Sequence, residues 1–363
     1  MIKKYNKISQ FSLAKRSRIN KYLIQVDNNR YYSNFGPLYF KLRKKIEKHL
    51  NYKNNGVILS SSGHSSLLAV TKYLRTKLNK KYVLCPSFSF YSNPLSIIDS
   101  GFKPYFVDIK KNDLIIDFDL VKKTLSKKNN IAFLMVTSPL GYPVDIEYLN
   151  KLQKTIKIPI VYDAADAYLN LKKKINNQIF ITCSFHPTKT FGSNESGLII
   201  CRKRYVKKCE NIINFGVSEK NSASNIIGFN GKFSEYDAAI LLSNFDVIGD
   251  KIKNLKKRIS IIKNSLKDKF KIIHNGKFIS NKITFYKNVN IENKFVNLCQ
   301  KYNINLNRWW SKNAMHQINI FKKYPKTKMT NTLKLKKNLI GFFINDKMKI
   351  NEIKSFCKDV KKL

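Results

Sequence analysis

Acid is scarce in this sequence: 23 aspartates and glutamates stand against 69 lysines and arginines, a formal net charge of +46 over 363 residues. Long apolar runs are missing as well. The longest candidates are broken by Lys, Asn or Pro, so none is long enough to cross a bilayer. The N-terminal stretch MIKKYNKISQFSLAKRSRIN is basic but lacks the apolar core of a secretory signal. The six cysteines (Cys85, Cys183, Cys201, Cys209, Cys299 and Cys357) form no Cys-x-x-Cys pair. That argues against a zinc module or a disulfide scaffold, predicts no metal centre, and points to a reducing compartment. The RNP, zinc-finger and basic-zipper signatures of nucleic-acid binders are absent too. The expectation is a soluble, cytoplasmic protein with no membrane partner and no dedicated nucleic-acid partner.

The charge itself is not gathered on one arm or one helix; lysine is spread over almost every segment. The excess extends to Asn, Ile, Tyr and Phe, whose codons are rich in A and T, so base-composition bias accounts for it in any class of protein. A surface this basic still attracts anionic ligands, phosphorylated ones included, and attracts nucleic acid non-specifically at low salt.

What is present is an alternation of apolar runs with helical patterns. The segment 38–50, LYFKLRKKIEKHL, reads as an amphipathic helix after the Gly36-Pro37 turn. Strands are predicted at Val57-Ile58-Leu59, KYVLC, PYFVDI, IAFLMVTS, IPIVYDA, ITCSF and GLIIC, with helices at 67–78, 92–99, 118–126, 145–155 and 204–213. Strands and helices in this alternation imply an α/β fold whose mostly parallel sheet is covered on both faces. After about residue 250 the pattern changes to longer basic helices with short strands such as KITFYK. The predicted organisation is an N-terminal segment (1–35), a large domain (36–250) and a smaller C-terminal α+β domain (251–363).

Ligands bind such sheets where strands end and helices begin. Four segments at these junctions carry chemistry. Ser60-Ser61-Ser62-Gly63-His64-Ser65-Ser66 places hydroxyls and backbone N–H groups at a helix N-terminus, an arrangement suited to a phosphate and equally to a plain serine cap. Pro86-Ser87-Phe88-Ser89-Phe90-Tyr91 sets aromatics after a strand, where they serve a core as readily as a ligand. Val161-Tyr162-Asp163-Ala164-Ala165-Asp166 ends a strand in acid, which burial penalises unless a cation meets it: a protonated pyridine nitrogen, a metal or an arginine. Ser184-Phe185-His186-Pro187-Thr188-Lys189 puts a lysine at a buried strand end, where a lowered pKa suits Schiff-base chemistry.

These segments, in this order, resemble the DegT/DnrJ/EryC1/StrS family of sugar aminotransferases, from Asn34-Phe-Gly-Pro37 to Leu339-Ile-Gly-Phe-Phe-Ile-Asn-Asp346. The strongest match is Gly228-Phe-Asn-Gly-Lys-Phe-Ser-Glu-Tyr-Asp-Ala-Ala239, similar to the family's Gly-x-Asn-x-Lys/Arg-Met-Ser/Thr-Glu/Asp-x-x-Ala-Ala. The resemblance implies the aspartate-aminotransferase fold (fold type I) and pyridoxal 5'-phosphate as cofactor. It implies that Lys189 forms the Schiff base and shuttles the proton, that Asp163 binds the pyridine nitrogen and that Phe90 stacks on the ring. Ser184, with Gly63, His64 and Ser65, is implied to hold the phosphate, and Asn230 to reach the phosphate of a neighbouring subunit in a homodimer with shared sites. Asn34, Arg308 and His316 are implied on the substrate side. A packed aromatic cluster with a satisfied histidine is the other reading of Arg308-Trp309-Trp310 and His316.

The sequence departs from the family at His64, where Thr is common, and at Asp166, where His or Gln is frequent beside the cofactor's phenolic oxygen. A carboxylate at 166 repels a phenolate unless it is protonated or turned away. Gly192-Ser-Asn-Glu-Ser-Gly197 replaces a more glycine-rich stretch but keeps Glu195 and Gly197. The expected reaction is transfer of an amino group from L-glutamate to a nucleotide-linked keto-deoxy-sugar for surface polysaccharide or glycolipid synthesis. The alternatives are a same-fold enzyme acting on another ketone or dehydrating a sugar, and a non-catalytic polyanion-binding protein. Lys189 is present where dehydratases of the family carry His, which favours transamination.

Overall fold

In the computed structural model the described residues are 12–51, 55–171, 174–176, 178–217, 226–273, 278–286, 291–308, 310 and 313–363. Two helices come first, α1 (Arg16–Asn29) and α2 (Pro37–Leu50), then β1 (Asn55–Ser60), α3 (Gly63–Arg75), β2 (Tyr82–Pro86), α4 (Ser92–Asp99) and β3 (Lys103–Val107). The alternation continues with α5 (Phe118–Lys127), β4 (Ile131–Thr137), α6 (Ile146–Ile156), β5 (Ile160–Asp163), β6 (Ile179–Ser184) and β7 (Gly197–Arg202). Helices α7 (Lys203–Ile213), α8 (Glu235–Asp246) and α9 (Ile248–Leu266) follow. The chain closes with β8 (Lys282–Tyr286), α10 (Glu292–Lys301), α11 (Thr330–Asn338), β9 (Leu339–Phe343) and α12 (Ile350–Lys361).

Strands β1 to β7 form one sheet in the order β1-β7-β6-β5-β4-β2-β3. It is parallel from β3 to β6, and only β7 runs against its neighbours β6 and β1. The near-continuous apolar runs are explained by burial on both faces. Leu134, Val136, Ile160, Tyr162, Ile181 and Leu198 point into the core beneath α2, α6 and α8. Their neighbours Phe133, Met135, Val161, Phe180 and Ile199 point into a second core beneath α3, α4 and α7.

Local rules set the helix starts. Asp117 and Asp145 cap α5 and α6 through their side chains. Helix α2 opens on Gly36 and Pro37, and its first N–H groups, those of Leu38 and Tyr39, donate to the buried Glu235 carboxylate at 2.7 and 2.8 Å. Gly36 is required there, because a Cβ would lie 2.5 Å from Glu235 Cδ.

Beyond residue 250, β8 and β9 pair antiparallel and pack through Phe285, Phe295, Phe342 and Phe356 against α10 and α12. The C-terminal third does not keep to itself. Met315, Phe321 and Met329 complete the core beneath α3 and α4, and Phe106 on the edge strand β3 exchanges backbone hydrogen bonds with Pro325 and Thr327. No helix among the described residues is long and apolar enough to cross a membrane.

Candidate active site

Strands β2, β4, β5, β6 and β1 all run in one direction, and their carboxyl ends meet at one edge of the sheet. Gly197, the first residue of β7, lies between Ser60 and Ser184. A Cβ on Gly197 would sit 2.1 Å from the Ser62 carbonyl oxygen, so only glycine allows the two strand ends to close on each other.

The N-terminus of α3 faces this junction. Ser62 caps the helix by accepting from Ser65 N at 3.0 Å, and the Ser65 hydroxyl lies 2.9 Å from Ser61 Oγ and 3.0 Å from Ser62 Oγ. Gly63 approaches Ser184 so closely that a Cβ would meet Ser184 Cβ at 2.6 Å. Ser184 Oγ in turn accepts from His186 N at 3.2 Å. Free backbone N–H groups, the positive helix end and the Ser184 hydroxyl together form a cradle for a phosphate-sized anion. Burial pushes the His64 imidazole below its ordinary value, with Asp99 opposing, so the position contributes no full charge near neutral pH. Ser61 N donates to Gly231 O at 2.9 Å, which ties the Gly228–Ala239 motif to the anion loop and leaves the Asn230 side chain exposed beside it.

Asp163 ends β5 with its carboxylate 4% exposed. Burial pushes its pKa up to about 6; the neighbouring Lys189, the Ala165 N–H at 3.0 Å and Asn93 pull it back down. A carboxyl raised despite those partners lacks a full counter-charge, and this fits a cationic ring nitrogen placed against it. Asn93, on α4, is buried, donates to Thr137 Oγ1 at the end of β4 and has its own Oδ1 without a hydrogen-bond partner.

Lys189 follows β6 on a turn held by its own backbone, Lys189 N donating to His186 O at 2.8 Å. His186 stiffens the turn. Its Nδ1 lies 2.8 Å from Thr188 Oγ1 and its Nε2 3.1 Å from Glu195 Oε1. Burial lowers the His186 pKa, Glu195 opposing and Lys189 and Lys282 adding to the fall. Asp166, the departure that burdens the site with a second acid, is met by Lys282 on β8 at 2.5 Å and accepts from Thr190 N at 2.6 Å. Its charge is therefore paired inside the protein.

The structure thus brings Gly63 against Ser184, with His64 and Ser65 in the same first turn of α3, and puts Asp163 and Lys189 in electrostatic contact. Phe90 stands in the loop after β2, 52% exposed, in edge contact with Tyr91. Asn34 has a left-handed backbone (φ 62°), and its carbonyl accepts from Tyr31 Oη. Arg308 is engaged by Glu292 at 2.9 Å, and His316 is buried with Nδ1 2.5 Å from Ser87 Oγ. Trp309 lies outside the described residues. Sequence reasoning missed Asn93, hidden in an apolar helix start, and Lys282, one of 69 basic residues with nothing local to distinguish it.

The sequence model of the DegT/DnrJ/EryC1/StrS aminotransferase family matches residues 14–361. A dTDP-4-amino-4,6-dideoxy-D-glucose transaminase of Shigella dysenteriae is 27% identical over 236 residues, 64% of this chain and 62% of the relative, so the match spans under two thirds of that protein. A DegT DnrJ EryC1 StrS aminotransferase from Brucella abortus superimposes with a TM-score of 0.85 at 16% identity, covering 95% of both chains. The Helicobacter pylori aminotransferase PseC, involved in pseudoaminic acid biosynthesis, gives 0.84 at 16% identity over 97% of this chain and 98% of that one. At these identities the two solved structures establish the fold.

Proposed function

The chain belongs to the DegT/DnrJ/EryC1/StrS aminotransferase family, whose members use pyridoxal phosphate, and we propose that it transfers an amino group from L-glutamate to a nucleotide-linked keto-deoxy-sugar. The observation that carries the proposal is the convergence, at one sheet edge, of Asp163, Lys189 and the anion cradle of Gly63 and Ser184. The cofactor, when bound, supplies an electron sink for the carbanion formed at the amino-acid carbon. The protein does the rest. Ser184 Oγ and the N–H groups at the start of α3 hold the phosphate, with Ser65 behind them. Asp163 keeps the pyridine nitrogen protonated, and Phe90 covers a face of the ring. Lys189 Nζ would hold the cofactor and would serve as the base and acid that moves the proton of the donor carbon. Asn34, Arg308 and His316 belong to the substrate side of this reading.

The same reading makes the protein a homodimer with shared sites. On the segments around Asn34 and Asn230 the large apolar side chains of Tyr31, Tyr32, Phe40, Phe215, Ile227 and Tyr236 are exposed, which supports a partner surface there. Tyr32 and Tyr236 stack, and Glu235 N donates to Tyr32 O, so the segment after α1 is joined to the start of α8. Asn230 is exposed, which suits a residue serving a partner's phosphate. Six buried free thiols suit a reducing compartment, and we place the enzyme in the cytoplasm, feeding surface polysaccharide or glycolipid synthesis.

The test is the visible absorption of the purified protein with pyridoxal phosphate, before and after L-glutamate, followed by product analysis with a panel of nucleotide keto-sugars. A band that glutamate bleaches, with amino-sugar formed, is the expected result. A band indifferent to glutamate moves the reading to another donor, another ketone or dehydration. No band, with salt-sensitive polyanion binding instead, replaces it with a non-catalytic role.

A further inference from the structure

Lys282 is an unusual lysine for this protein. It is 6% exposed, lies on β8 of the small sheet, and reaches the loop that carries Lys189. Its Nζ lies 2.5 Å from Asp166 Oδ2, donates to the Thr188 carbonyl at 3.0 Å and to Asn281 Oδ1 at 2.8 Å, and sits 5.2 Å from the centre of the Phe343 ring. The contact with Asp166 is a close ion pair buried on both sides. The far side of the same loop is held by the same cluster. Thr190 N donates to Asp166 Oδ1 at 2.6 Å, Thr190 Oγ1 donates to Asn281 Oδ1 at 3.2 Å and Asn281 N donates to Thr190 Oγ1 at 3.3 Å. Both neighbours of Lys189 in the chain are therefore fastened to Asp166, Asn281 and Lys282.

Two consequences follow from chemistry alone. A buried carboxylate whose cation is removed becomes an uncompensated charge, so Asp166 is tolerable beside the cofactor because Lys282 is there. A lone ammonium beside the Lys189 loop would disfavour a positive charge on the nitrogen joining Lys189 to a bound cofactor and a lone carboxylate would favour it, so the paired charges offset each other. The remaining charges facing this group are Asp163, which attracts Lys189, and His186 with Glu195 on the opposite side of the turn.

We propose that Lys282 is a positioning residue for Lys189: from the small sheet it clamps the 188–190 turn, and with Asp166 it forms a charge-neutral pair in which each charge cancels the other's effect on the protonation of the nitrogen joining Lys189 to the cofactor. This rests on the cofactor reading above. The dyad takes the place of the neutral side chain frequent at position 166 in the family. It also makes the small sheet part of the cofactor site.

The experiment compares wild type, Lys282→Met, Asp166→Asn and the double variant. For each, the dissociation constant of pyridoxal phosphate and the pH midpoint of its visible band are read, along with the melting temperature of the cofactor-free protein. Lys282→Met leaves a lone anion, so its midpoint rises by about one pH unit; Asp166→Asn leaves a lone cation, so its midpoint falls by a similar amount. The double variant, with neither charge, returns near the wild-type midpoint while binding cofactor roughly tenfold or more weakly, because the clamp is gone. Should Lys282→Met fail to fold, Asp166→Asn and the double variant, neither of which leaves a buried anion unpaired, still give the falling and the restored midpoint. A merely structural role would lower melting temperature and affinity without moving the midpoints. That outcome, or a single variant indistinguishable from wild type in midpoint and affinity, overturns the proposal. A wild-type protein that develops no band refutes the cofactor reading itself, whereas a normal wild-type band with unmoved variant midpoints refutes only the role of Lys282.

Discussion

Replacing Asp163 by Asn should stabilise the cofactor-free protein while ruining it for the cofactor. The carboxyl is pushed from 3.8 up to about 6, which at about 1.4 kcal/mol per pH unit is roughly 3 kcal/mol of unfavourable charge burial once both states are ionised. The sign follows from proton binding. Between pH 4 and 6 the folded chain holds this proton more tightly than the unfolded chain, so stability falls as pH rises through that window and stays low above it. Asn retains an acceptor for the Ala165 N–H and carries no charge. Urea unfolding of the cofactor-free proteins should therefore show Asp163→Asn more stable by roughly 2–3 kcal/mol at pH 8 and by well under 1 kcal/mol at pH 4. On the proposed role of Asp163, pyridoxal phosphate should reverse the order, because a protonated ring nitrogen would find no carboxylate in the variant. An Asp163→Asn protein no more stable than wild type at pH 8, or equally stabilised at both pH values, would refute the reasoning.

Further outcomes test other parts of the site. Lys189→Ala should lose the visible cofactor band and all turnover while melting within a few degrees of wild type; retained turnover removes Lys189 from its role. Gly63→Ala forces a Cβ to within 2.6 Å of Ser184 Cβ, an overpacking cost of about 1–3 kcal/mol that should appear as weaker cofactor binding in a titration. Unchanged affinity would mean that the α3 N-terminus is not the phosphate cradle. Glu235→Ala strips two N–H groups of α2 of a buried carboxylate acceptor and should cost roughly 2–4 kcal/mol in urea unfolding, with a loss under 1 kcal/mol contradicting that account.

The elements of the large sheet were legible because each carries its own pattern. Runs such as IAFLMV and IPIV are apolar at every position, as strands buried on both faces must be, and turn or cap residues separate them from the helices. The positions of the proposed anion cradle, Asp163 and Lys189 were legible for a related reason: each ends a strand or follows one within a few residues, so chain order alone puts it near a strand's carboxyl end. Their roles came from resemblance to a family and not from spacing. Pairings between distant segments left no such mark. Glu235 holding the first turn of α2, Asn93 beside Asp163, His316 against Ser87, and the return of residues 314–332 to the large sheet each join positions whose local sequence is ordinary.

The clearest division lies at residue 166. Sequence by itself determined that an acid stands there, three positions after Asp163, where the family resemblance implied a cofactor oxygen that would repel it. Only the tertiary structure decided that the acid is neutralised, because the cation comes from β8, 116 positions away and on another sheet. Local propensity and patterning act within a few residues and so survive in the sequence; the partner of a buried charge is chosen by packing between elements, which appears only once the chain has folded.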